Sequence, residues 1–345
     1  MKVKNIITLI AVLGAFGLLG YLYIWYGKAF NSNLEGWNEK EYIYVAETDN
    51  FEKVVSMLSP YLKDVESFKT IAEQRNYDAL VINGRFQLRN GMNNYDIIQA
   101  LRDNKPTRVT FNNQERIENL AGRISSQIEA DSLALLETFL NKKFLSDNGF
   151  TQENALVIFL PDTYEFYWNV SPIKLRNKLQ SEYVRFWNEE RLAKAKAIGL
   201  TPIEVSILAS IVQKETVKAD ERPKVAGAYL NRLKIGMPLQ ADPTLVYAHK
   251  LHTGDFEQKI YRVYNKHKEL DSPYNTYRNA GLPPGPIAMS DKTSIDAVLN
   301  PEEHDYIYFC ASVDRPGYHE FARTLAQHNA NSARYHNYLN QAGIR

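Results

Sequence analysis

Apolar residues recur at helical spacing at Ile207, Leu208, Ile211 and Val212. Thr201 precedes this stripe as an N-cap, Pro202 takes the first helical position, and Glu204 follows three residues after the cap. That is a capping box, with proline where no N–H is needed. One turn further along the stripe stands Glu215. Burying a carboxylate is unfavourable unless it is paired or protonated. Desolvation therefore raises its pKa, and a carboxylic acid still protonated near neutral pH is what a general acid requires. The competing reading is a partly exposed ion pair with Lys214, Lys218 or Arg222. The helical pattern is predicted to run on through Val225, Tyr229, Leu230 and Leu233 to Gly236, with an extended polar loop over 237–244.

The same pattern divides the rest of the chain. Lys2 and Lys4 precede an uncharged run from Asn5 to Gly27, about long enough to span a bilayer as a helix. Tyr21, Tyr23, Trp25 and Tyr26 cluster at its far end as an interfacial belt. The basic tail 1–4 predicts a cytoplasmic N-terminus, with everything after Gly27 outside. A cleaved signal peptide is the alternative, and Ala29 offers it a poor site. Residues 28–40 read as a polar linker. Strands at 42–46 and 84–88 enclose helices at 51–58 and 64–74, and a further helix (94–101) and strand (107–111) follow. Beyond them the pattern predicts two helices over 113–143 and a buried strand over 155–160. One long amphipathic helix follows from Pro172 to about Gly199. After the central stretch come a helix at 246–251, a short helix at 294–299, a hairpin of 306–311 with 317–321, and a terminal helix at 326–339.

Composition narrows the function classes. The chain has 345 residues, enough for two or three domains. Its 41 basic and 40 acidic residues leave a net charge of +1, so there is no electrostatic footprint for nucleic acid. The 22 Tyr, 15 Phe and 4 Trp serve either core packing or stacking on sugar faces. Cys310 stands alone, which excludes an intrachain disulfide. His249 and His252 form an H-x-x-H pair, but no Glu follows the first His and no further ligand is near, so no metal site is expected. Nor does any fingerprint call for a cofactor.

Five motifs then occur in order: Ile211-Val212-Gln213-Lys214-Glu215-Thr216, Asn231-Arg232-Leu233, Leu239-Gln240-Ala241-Asp242-Pro243-Thr244, Tyr274-Asn275-Thr276-Tyr277 and Gly281-Leu282-Pro283-Pro284-Gly285-Pro286-Ile287. Together they resemble the endolytic murein transglycosylase family, the YceG-like proteins. The likeness extends to Leu160-Pro161-Asp162-Thr163-Tyr164 upstream and Gly317-Tyr318-His319-Glu320-Phe321 downstream. The resemblance implies an α+β protein with a single transmembrane anchor (5–27), a small LysM-like α/β subdomain (41–106) and a mixed α/β catalytic domain (107–345). The anchor would sit in the cytoplasmic membrane, with the catalytic domain on its outer side. It implies cleavage of the MurNAc–GlcNAc β-1,4 bond of nascent peptidoglycan strands with 1,6-anhydroMurNAc formation, which ends strand elongation. Peptidoglycan synthases are the protein partners such an activity would meet.

The family's catalytic acid falls on Glu215. Gln240, Asp242, Asn275 and Tyr277 are candidate substrate-binding residues; they and Asn231 serve either sugar or the loops of the cleft. Asp242 is either a second carboxylate of a hydrolase or a structural acid capping the helix after Pro243. Two rival functions stay open: a muramidase using Glu215 with Asp242, and a catalytically silent peptidoglycan-binding scaffold. The chain departs from the family pattern twice. Gln213 stands where an acid is common, and Ala288-Met289-Ser290 replaces a turn that usually contains Asn-Pro.

Overall fold

The computed structural model describes residues 3–260 and 263–341. The chain is α+β, and its helices and short strands form two compact units. One unit takes residues through 109 with 127–130 and 164–171; the other takes 110–126, 131–163 and 172 onward. In chain order the elements are α1 (Val3–Phe30), β1 (Tyr42–Val45), α2 (Phe51–Leu58), α3 (Val65–Gln74), β2 (Gly84–Gln87), α4 (Asn94–Ala100), β3 (Pro106–Phe111), α5 (Ile117–Ser125), α6 (Ser132–Phe139) and α7 (Lys142–Asp147). They continue as β4 (Asp162–Tyr167), α8 (Pro172–Phe186), α9 (Glu189–Ala197), α10 (Pro202–Glu215), α11 (Arg222–Lys234), α12 (Asp242–Thr253), α13 (Asn265–Lys268), α14 (Lys292–Leu299), β5 (Tyr308–Ala311), β6 (His319–Ala322) and α15 (Leu325–Gln341). The strands pair as β1–β2, β3–β4 and β5–β6.

In the first unit, α1 is long and apolar enough to cross a membrane. Of the tail expected at 1–4, Met1 and Lys2 lie outside the described residues. β1 and β2 pair antiparallel, Ile43 opposite Phe86 and Val45 opposite Gly84. The period of two turns Ile43, Val45, Phe86 and Leu88 onto a core completed by Val54, Leu58, Phe68 and Ile71. The stretch 31–40 is not the free linker its polarity predicts. Leu34 and Trp37 are buried in this core, and the buried Asn33 amide donates to Asn94 Oδ1 at 2.6 Å and to the Asp64 carbonyl at 2.8 Å.

In the second unit, α10 is the hub. The capping box forms, with Glu204 N–H donating to Thr201 Oγ1 (3.3 Å) and Thr201 N–H to Glu204 Oε2 (2.8 Å). The expected single apolar stripe understates the burial, because every residue from Val205 to Val212 is buried. A helix enclosed on all sides is a core helix. Its two serines are satisfied locally, Ser206 donating to the Pro202 carbonyl and Ser210 to that of Ile207. Helices α9, α11, α12 and α14 pack around it.

Three other expectations are corrected. Residues 155–158 form a 3₁₀ turn rather than a strand; a short, wholly buried apolar run does not distinguish the two by period. The long helix from Pro172 breaks after Phe186, where Asn188 accepts from Arg191 N–H (3.0 Å) and caps a new helix, α9. Region 113–143 supplies α5 and α6 and the start of a third helix, α7.

Candidate active site

The continuous helix expected from Glu215 to Gly236 is also interrupted. Glu215 is the last residue of α10, and Thr216 turns to extended backbone (φ −136°, ψ 133°). The Thr216 hydroxyl donates to the buried Glu221 carboxylate at 2.9 Å, and α11 restarts at Arg222-Pro223. The break leaves Glu215 at the end of a buried helix, facing open space. Two cavities meet at its side chain. One, of about 880 Å³, is lined by Lys214, Val246, Tyr247 and Lys250 among others. The second, of about 380 Å³, is lined by Arg232, Gln240, Tyr277 and His319 among others. Glu215 and Asp242 line both.

The Glu215 carboxyl is held from behind. Tyr229, fully buried on α11, donates its hydroxyl to Glu215 Oε2 at 3.0 Å. Desolvation pushes the Glu215 pKa above its ordinary value, reinforced by the nearby Asp242 charge. His319, the Tyr229 hydrogen bond and Arg232 pull the other way and do not cancel the burial. Burial, and the neighbouring Glu215 charge, also raise the Tyr229 phenol well above its usual range, so it stays a neutral donor. The nearby cations are engaged elsewhere. Lys214 pairs with Glu115 at 2.8 Å and Arg222 with Asp291 at 3.2 Å, while Lys218 lies 5.2 Å from the Tyr318 ring centre. The ion-pair reading of Glu215 loses its partners.

Arg232 lies one turn beyond Tyr229 on α11, is 5% exposed, and lines the smaller cavity. Its Nε donates to the Ile307 carbonyl at 2.6 Å and its Nη1 to that of Leu239. On the far side, Glu115 lies between Lys214 and Lys250, each 2.8 Å away. Burial alone would raise the Glu115 pKa, but the two ammonium groups outweigh it and hold the carboxyl below its usual range.

Of the predicted residues, Glu215, Asp242, Gln240 and Tyr277 are brought to one place. The loop expected over 237–244 stops short, because Asp242 opens α12 with Pro243 in its first turn. Tyr277 donates its hydroxyl to Asp242 Oδ1 at 2.6 Å. Gln240 sits at positive φ (46°), with its N–H on the Thr276 carbonyl. Asn275 does not reach the cleft. It is fully buried, and its amide donates to the Lys268 and Leu270 carbonyls, so it holds its loop rather than sugar. Asn231 likewise serves backbone, donating to the His304 and Tyr306 carbonyls. His249 meets His267, ring centres 5.0 Å apart. Sequence reasoning missed Glu221, saw Tyr229 only as a position of the helical pattern, and saw Arg232 and His319 only inside motifs. The Tyr229–Arg232 spacing of three, which puts a charge beside a buried tyrosine on one helix face, was the available signal.

The YceG-like family model matches residues 43–334. The chain belongs to the YceG-like family. An endolytic murein transglycosylase of Bacillus subtilis is 38% identical over 163 residues, 47% of this chain and 42% of that protein. One from Streptococcus pneumoniae serotype 2 is 25% identical, across 97% of this chain and 65% of its own length. A crystal structure of a yceG-like protein from Listeria monocytogenes matches with a TM-score of 0.55 and 25% identity, covering 84% of this chain and 99% of that one. The chain thus spans less than two thirds of the length of these curated relatives.

The two departures from the family pattern touch each other. Gln213 Nε2 donates to the Met289 carbonyl (3.2 Å), and Gln213 Oε1 accepts from Asp291 N–H (2.7 Å) and Ser294 Oγ (3.1 Å). An amide supplies both a donor and an acceptor; a carboxylate supplies acceptors only. Gln213→Glu should therefore unpin Met289 and set a second carboxylate beside Asp291. The expected loss is about 1 kcal/mol of stability, read as a lower melting temperature.

Proposed function

We propose that the chain is a lytic transglycosylase of peptidoglycan glycan strands, with Glu215 as its acid and base. One observation carries the reading: a desolvated carboxyl, hydrogen-bonded on one oxygen by Tyr229, stands in the wall shared by two cavities. A strand lying through both would place its scissile bond at Glu215. Protonated Glu215 gives its proton to the glycosidic oxygen, and the C1–O bond breaks with its electron pair on that oxygen. Positive charge of oxocarbenium character develops at MurNAc C1. The C6 hydroxyl oxygen closes on C1, and Glu215, now a carboxylate, takes the hydroxyl proton. No water is consumed, and the acid returns to its starting form. Family membership, and the endolytic murein transglycosylases among its relatives, support the same reaction class.

A muramidase is the second reading, because Asp242 shares both cavities with Glu215. The Tyr277 hydroxyl on Asp242 supports a structural role for that acid. Mass analysis of the ends made from purified glycan strands separates the two. The transglycosylase gives 1,6-anhydro ends, and Asp242→Asn keeps more activity than Glu215→Gln. Reducing ends, with equal losses in the two variants, would establish the muramidase. Intact strands after incubation would establish a silent scaffold.

The anchor fits this substrate. The apolar α1 supports attachment to the cytoplasmic membrane, and the lysines of the tail support an outward-facing body. The strand–helix–helix–strand order of β1, α2, α3 and β2 supports the LysM-like reading of 41–106, which would hold the enzyme on glycan beside peptidoglycan synthases. Protease added to intact spheroplasts should degrade the chain beyond Gly27 and leave a membrane-embedded stub. A protected body, or one released in soluble form, contradicts this topology.

A further inference from the structure

The turn that ends α10 is built around a second carboxylate. Glu221 is 5% exposed and accepts three hydrogen bonds: from Thr216 Oγ1 (2.9 Å), from the backbone N–H of His319 (2.6 Å) and from His319 Nδ1 (2.9 Å). A carboxylate only accepts, so Nδ1 carries a hydrogen and neutral His319 keeps Nε2 as an acceptor. The ring is fixed from the sides too. It meets Phe309 edge-on at 5.3 Å between centres and Phe321 at 6.3 Å. β6 begins at His319, opposite Ala311 on β5, which fixes the backbone beneath it. The side chain keeps 15% of its surface open and lines the smaller cavity with Glu215, Arg232 and Tyr277.

This is more ordering than packing needs. A buried acid fixes both the tautomer and the orientation of an imidazole in the cavity that the reacting acid also lines. We propose that His319 touches the substrate: while Glu215 is still protonated, its Nε2 accepts the hydrogen bond of the sugar hydroxyl that closes on C1 and holds that oxygen in line for attack; once Glu215 has become a carboxylate, the hydroxyl's one hydrogen turns to it and leaves with it. Glu221 and Thr216 position the ring. The role rests on the transglycosylase reading above and adds a second substrate-contacting residue to it. Holding the internal nucleophile is worth most where water competes, since a free C6 arm rotates away and leaves C1 open to hydrolysis.

Three variants of the full chain test this on purified glycan strands, with kcat, KM and the ratio of anhydro to reducing ends measured for each. His319→Asn keeps a donor at the Nδ1 position for Glu221 and loses Nε2. His319→Gln reaches the Nε2 position with an amide whose oxygen can accept. Glu221→Gln keeps the shape and weakens the hold on the ring. His319→Asn should lower kcat about tenfold or more and shift the products towards reducing ends, with the melting temperature preserved. His319→Gln should recover much of the anhydro fraction, and Glu221→Gln should fall between. An unchanged end ratio in His319→Asn overturns the proposal whatever the rate does, because a purely structural histidine slows cleavage without altering the partition. Equal loss of anhydro ends in the Asn and Gln variants overturns it as well. Reducing ends alone from the wild type overturn the transglycosylase reading itself, and the assignment with it.

Discussion

Glu215→Gln should lower the proposed strand cleavage by about 10²-fold or more and at the same time make the fold more stable at neutral pH. Both effects come from one property of the site. The carboxyl ends a helix buried from Val205 to Val212 and takes a hydrogen bond from a fully buried tyrosine. Desolvation raises its pKa above the ordinary 4.5. Between that ordinary value and the raised one, the native chain holds a proton that the unfolded chain has released. Stability therefore falls as pH rises through the window. The amide has no proton to lose and still accepts from Tyr229. Its advantage over the wild type should be present at pH 7 and should vanish by about pH 3, well below the ordinary value, where both states of the acid are protonated. Calorimetry at pH 7 and at about pH 3, beside turnover on glycan strands at neutral pH, measures both halves. A variant equally inactive but no more stable at pH 7 would mean that Glu215 sits in water-like surroundings, and the general-acid role would lose its physical basis.

That acid was legible because its signal is local. A capping box fixes where α10 begins, the apolar period fixes its phase, and an acid in phase with buried residues stands out. The end of α10 was not legible. Thr216 leaves the helix because its hydroxyl meets Glu221, and Glu221 is held by His319, 98 residues further along. Tyr277 and Asp242 are 35 residues apart and meet only once the loops are in place. Asn275 sits in the same motif as Tyr277 and has the same capacity to bind sugar. Only burial shows that its amide is spent on the Lys268 and Leu270 carbonyls. The break at Asn188 is the reverse case, a cap residue visible in the sequence but outweighed by the amphipathic period on both sides.

The Gly281–Ile287 motif yields the other large effect, and its two glycines should behave differently. The segment that follows is fastened along α10: Ile287 N–H donates to Ser210 Oγ at 3.1 Å, Ser290 Oγ to the Ser206 carbonyl at 2.8 Å, and Asp291 N–H to Gln213 Oε1 at 2.7 Å. Gly285 is what lets the chain come this close. A Cβ there would lie 1.9 Å from the Glu153 carbonyl oxygen and 2.9 Å from the Tyr274 hydroxyl. The first of these is backbone and cannot rotate away, so Gly285→Ala must displace a loop. The expected cost is about 3 kcal/mol, and the displaced segment should pull its hydrogen bonds away from α10 and disturb the seat of Glu215. Gly281 has open space around it but sits at φ +88°. Gly281→Ala therefore meets only backbone strain, about 1 kcal/mol, and should keep most of the activity. Denaturant melts of the two variants, with turnover on glycan strands, test the difference. Equal and small losses would mean that the approach to Glu153 is looser than its geometry, and the fastening of α10 would then lie in Gln213 and the serines rather than in this glycine.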